Sequence, residues 1–92
     1  MSPLSDAEIR SRIVSVPDWR IESGELTRTF AFKDFVASLS FVNRVGDLAE
    51  KAGHHPDIDI RYNRVRLQLI THDAGGLTAK DFDLAEAADR LV

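Results

Sequence analysis

The chain holds three histidines, His54, His55 and His72, and histidine is the side chain best suited to moving protons near neutral pH. His54 and His55 are adjacent and are followed by Pro56; His72 stands alone 17 residues after His55, and none of the three lies inside an apolar stripe. A dehydration needs an acid for the leaving hydroxyl and a base for the proton lost beside it, and two or three neighbouring imidazoles can fill both roles. The competing reading is structural, because His54 and His55 would also serve as a polar exit from a helix C-terminus, where imidazolium suits the negative end of the dipole.

Glu50 bears on the choice. In the last turn of a helix a carboxylate works against the dipole by about 0.3–1 kcal/mol, so a partner is expected. Four residues before His54, it is expected to reach that imidazole and fix its tautomer. It also reads as a solvated surface residue beside Lys51. Asp81 is fully accounted for as the third position of a capping box that begins at Thr78. Tyr62 alternates with Ile58 and Ile60 and is expected in the core with its hydroxyl at the edge. Trp19 is read as core or interface, with stacking on a flat heterocycle as the alternative.

Other chemistries fit less well. Neighbouring residues in extended backbone point to opposite sides, so His54 and His55 are poorly placed to chelate one ion, and no H-E-x-x-H pattern is present. No serine lies in a glycine-flanked elbow, and Gly75-Gly76 is too short to cradle phosphate. No metal and no cofactor are expected.

The elements that must position these residues read as three helices and four strands in the order αββαββα. Ser5 and Glu8 form a capping box before the stripe Ile9, Ile13 and Val14, and Pro17 ends that helix. Trp19–Ile21 and Leu26–Phe32 are β-favouring runs around a turn at Glu22-Ser23-Gly24-Glu25. From Asp34, apolar residues recur at three and four positions through Phe35, Phe41, Val45 and Ala49 to Ala52. Gly53 and Pro56 stop this long helix at His54 and His55. Ile58, Ile60 and Tyr62, then Val65, Leu67 and Leu69, alternate around a turn at Asn63-Arg64, and the same period carried on puts His72 on the side of Gln68 and Ile70. A last helix carries Leu84, Ala85, Ala88 and Leu91. The fold class expected is α+β in two layers, a four-stranded antiparallel sheet with helices packed on one face.

Composition limits the function classes. A 92-residue chain, 43% hydrophobic and 29% charged, has room for one domain spanning 1–92. Without cysteine there is neither a disulfide framework nor a thiolate metal site. A net charge of −3 without a basic run argues against nucleic acid and anionic membrane as partners, and no stretch is long enough to span a bilayer. No secretory signal is read at the start, so a cytoplasmic location is expected. A sheet covered on one face leaves the other face or its edges to be protected, so a homodimer is expected.

The segment Ala49-Glu50-Lys51-Ala52-Gly53-His54-His55-Pro56, with Tyr62-Asn63-Arg64-Val65, Thr71-His72-Asp73 and Asp81, resembles the pterin-4a-carbinolamine dehydratase family. The resemblance runs from about Trp19 to the C-terminus. It implies a lyase that takes water from 4a-hydroxytetrahydropterin to give quinonoid dihydropterin, recycling the pterin of aromatic amino acid hydroxylases such as phenylalanine hydroxylase. It also implies a pterin bound as substrate among His54, His55 and His72, with Glu50, Asp81 and Tyr62 supporting, no metal or bound cofactor, and a homodimer or homotetramer. Gly53 stands where animal members carry an acidic residue, and Ile58 where they carry an aromatic. The other reading is a non-catalytic dimerisation or assembly module on the same fold, a role that some relatives have.

Overall fold

The computed structural model describes residues 2–92, and among these it contains three helices and four strands. Ser5 caps α1 (Asp6–Ile13), and its own N–H donates to Glu8 Oε1 at 2.8 Å, which holds the Glu8 carboxyl below its ordinary range. Only Ile9 and Ile13 of the expected stripe pack inward. Val14, the helical C-cap residue, is 75% exposed, because it lies about 100° round the helix from Ile13. A loop then delivers Val16 and Trp19 to the core, where Trp19 meets Phe30 edge-on at 5.9 Å. The Trp19 indole N–H donates to Asp89, which also pairs with Arg28 at 2.6 Å.

β1 (Arg20–Glu22) and β2 (Glu25–Ala31) form a hairpin whose two loop residues, Ser23 and Gly24, both take positive φ, as a tight turn between twisted strands requires. Asp34 then caps α2 (Phe35–Ala52) by accepting from the Ala37 N–H at 2.8 Å. β3 (Asp57–Arg61) and β4 (Arg64–Leu69) form the second hairpin, and after a short 3₁₀ turn at His72–Ala74 the chain closes with α3 (Ala79–Asp89).

All three strand pairings are antiparallel, in the order β1-β2-β4-β3. The register sets Leu26 opposite Leu69 and Phe30 opposite Val65, so one face of the sheet is apolar along its central strands. Phe41, Val45, Phe82, Ala85 and Ala88 of the helices are buried with it in one core. Thr29, Arg64 and Arg66 alternate onto the uncovered face, where Asp59 pairs with Arg61 at 3.0 Å and Arg66 at 3.8 Å. The expected two-layer α+β architecture is therefore present.

The second hairpin turns one residue earlier than its alternation suggests, at Tyr62-Asn63 instead of Asn63-Arg64. Tyr62 consequently has φ 49° and is 65% exposed, so it is not a core residue. A side chain at the apex of a tight hairpin has no sheet face to lie on.

Candidate active site

An antiparallel hairpin places the start of one strand beside the end of the next, and here Asp57 pairs with Gln68. The residues just before β3 and just after β4 therefore meet at one end of the sheet. Those residues are His54-His55-Pro56 and Ile70-Thr71-His72.

The first segment is fixed by the end of α2. Gly53 is left-handed at φ 62°, its N–H returns to the Glu50 carbonyl, and the His54 N–H returns to that of Ala49 at 3.1 Å. These two bonds close the helix and hold His54 by its own backbone. A Cβ at Gly53 would meet no atom within 4 Å, so its requirement is conformational. Gly53→Ala is expected to destabilise the fold by about 1–2 kcal/mol, and Gly53→Asn by less, in urea unfolding. A larger loss for Asn than for Ala would contradict that origin.

The second segment leaves the sheet at Leu69 and closes on itself, with the Thr71 N–H bonded to Gly76 and the Ala74 N–H to Thr71. His72 opens the 3₁₀ turn and is exposed, so the strand period does not extend to it.

Glu50 does not partner His54 as its spacing suggests. Its Oε2 meets the His55 Nε2, and both side chains are open to solvent. His54 turns the other way, and its Nε2 meets Asp81 Oδ1 at 2.6 Å. The capping-box reading of Asp81 is incomplete: Oδ2 accepts the Thr78 N–H at 2.9 Å and the Thr71 hydroxyl at 2.8 Å, which leaves Oδ1 for the imidazole. Asp81 is 0% exposed, and the His54 side chain 11%. A buried carboxylate with three partners is a rigid fixture, whereas the exposed Glu50–His55 pair contributes little.

The three histidines border one cleft of about 280 Å³, together with Gly53, Ile70, Thr71, Asp73 and Lys80. That volume lies just below the usual range of ligand clefts, about 300–1,000 Å³, and suits a small molecule. Asp73 enters the sequence reading only within Thr71-His72-Asp73 and Lys80 not at all; the signal for Lys80 is its adjacency to Asp81. Tyr62 is absent from the cleft lining, since the five residues of β3, about 16 Å of strand, separate it from Pro56. Among the described residues no group of three histidine or acidic side chains is arranged to hold a metal ion.

The sequence pattern described as pterin 4 alpha carbinolamine dehydratase matches residues 2–91. The chain belongs to that family. A dehydratase-family relative from Acidobacterium capsulatum, named a pterin-4-alpha-carbinolamine dehydratase, is 55% identical over 92 residues and is covered completely, as is this chain. One of the same name from Chloroflexus aurantiacus is 59% identical over 92 residues, covering 100% of this chain and 99% of its own. Among solved structures, a transcriptional coactivator/pterin dehydratase from Brucella melitensis superposes with a TM-score of 0.93 at 30% identity, covering 98% of each chain. A pterin dehydratase-like protein described as a RuBisCO assembly factor in the alpha-carboxysome superposes with a TM-score of 0.69 at 25% identity, over 80% of this chain and 88% of its own. No helix among the described residues of this dehydratase-family chain is long and apolar enough to cross a membrane.

Proposed function

We propose that this chain is a lyase that dehydrates pterin-4a-carbinolamine to quinonoid dihydropterin, with His54, His55 and His72 as its acid–base groups. The observation that carries this is the meeting of the chain's three histidines at one cleft, one of them backed by a fully buried carboxylate. In the elimination the C4a–O bond breaks as the hydroxyl gains a proton, the N5–H bond gives its proton to a base, and a C4a=N5 double bond forms. One proton enters the protein and one leaves, so no oxidant or reductant is needed.

The hydrogen bonds suggest roles. Asp81 Oδ2 already accepts two donors, so the ionised carboxylate takes the His54 Nε2–H on Oδ1, and Nδ1 is the nitrogen left to accept the N5 proton. His55 and His72 then face the leaving hydroxyl, with Glu50 steadying His55. Pterin is the substrate, and neither a metal nor a cofactor takes part. Residues 1–92 act as one domain, in the cytoplasm, in service of an aromatic amino acid hydroxylase.

The likeness to an assembly factor supports a second reading, a binding module without catalysis. Stopped-flow absorbance on freshly made 4a-hydroxytetrahydropterin separates the two. Acceleration over the spontaneous reaction supports the lyase, and an unchanged rate leaves the binding module. The exposed edge strand β3 and the uncovered sheet face also point to self-association. Sedimentation at micromolar concentration is expected to give a homodimer or homotetramer, and monomer alone would overturn that part.

A further inference from the structure

Thr71 sits between the two histidine segments, and its backbone and side chain do different work. Its backbone is pinned by the Gly76 carbonyl and leads directly into His72. Its side chain is buried, 6% exposed as a residue, and reaches two partners: Asp81 Oδ2 at 2.8 Å and the Thr78 hydroxyl at 2.8 Å. An ionised carboxylate only accepts, so the single Thr71 proton goes to Asp81. The contact between the two threonines must then run from Thr78 to Thr71, which gives the chain of hydroxyls one direction, Thr78 to Thr71 to Asp81.

The same carboxylate oxygen also accepts the Thr78 N–H at 2.9 Å, a backbone donor that cannot turn round. Oδ2 is thereby saturated, and Oδ1 is the oxygen presented to His54 Nε2 at 2.6 Å. The Thr71 hydroxyl is thus one of two donors that determine how Asp81 is turned, and Asp81 is the one side-chain partner of the His54 ring among the described residues. Hydrogen bonds to a charged group are worth more than neutral ones, and buried networks lose most when half satisfied.

We propose that Thr71 is a positioning residue for the dehydration, its hydroxyl holding Asp81 so that His54 keeps one tautomer and one orientation beside the substrate. The inference rests on the dehydratase reading for its consequence in catalysis and on the hydrogen-bond chain alone for its consequence in the free protein. Thr71 also borders the cleft, but its side chain is buried and its hydroxyl proton is committed to Asp81 Oδ2.

The test compares Thr71→Val, which keeps shape and removes the hydroxyl, with Thr71→Ser, which keeps the hydroxyl. Thr71→Val is expected to lower kcat about 10- to 100-fold with KM nearly unchanged, and Thr71→Ser to restore most of it. In the ligand-free protein, histidine ring ¹⁵N shifts are expected to report a single Nε2–H tautomer for His54 in the parent and Thr71→Ser, and a mixed or broadened signal in Thr71→Val. A parental kcat and a parental His54 signal in Thr71→Val would overturn the proposal, as would equal loss in the Val and Ser variants. Should Thr71→Val and Thr71→Ala both fail to fold while Thr71→Ser folds, the network serves stability and the proposal also fails. If the parent shows no dehydration but the His54 signal still responds to Thr71→Val, the pterin reading has failed and the positioning role stands.

Discussion

His72→Ala and His54→Ala are each expected to slow dehydration by about 10²–10⁴-fold, the range that one positioned acid or base contributes. The two variants should part company in stability. His72 is exposed and makes no side-chain hydrogen bond among the described residues, so its loss should leave unfolding within about 0.5 kcal/mol of the parent. His54 is the partner of a fully buried carboxylate oxygen, and removing it strands that oxygen at a cost of about 1–3 kcal/mol. Stopped-flow rates and urea unfolding on the same preparations measure both effects. If both variants dehydrate the substrate like the parent, the histidines form a helix exit and a surface residue, and the binding-module reading takes over.

The topology was legible because two of its stop cues coincide with a physical break. Gly53 is left-handed where the long helix ends, and Ser23-Gly24 turns the first hairpin. The partners of the histidines were not. Reaching from Glu50 to His54 by a four-residue step assumes that the helix continues, and Gly53 ends it between them. Once the chain has turned at Gly53, His55 comes over Glu50 and His54 swings toward α3. Asp81 was under-read for another reason: the capping box explains one carboxylate oxygen, and a carboxylate has two. Tyr62 failed by one residue of register, which in a period of two decides between a sheet face and the turn. What joined the two histidine segments was readable in principle, because any hairpin from β3 to β4 brings their outer ends together.

Asp81→Asn is expected to reduce the dehydration rate by about 10²–10⁴-fold with only a modest loss of stability, although it changes no atom positions beyond the amide. The Thr78 N–H is a backbone donor and fixes which end of the introduced side chain must be an oxygen. With the amide oxygen there, also accepting from Thr71, the amide NH₂ faces His54 Nε2. That nitrogen must then accept, so the imidazole proton moves to Nδ1, the position proposed to receive the proton from N5. The base is occupied before the substrate arrives. Glu50→Gln sets the scale, because its pair with His55 is open to solvent and an exposed pair is worth at most about 1 kcal/mol, less than about fivefold in rate. Ring ¹⁵N shifts of His54 check the tautomer independently of turnover. An Asp81→Asn variant that keeps the Nε2–H form and the parental rate, or a Glu50→Gln variant that loses more activity than it does, would show that the buried carboxylate does not set the protonation of His54.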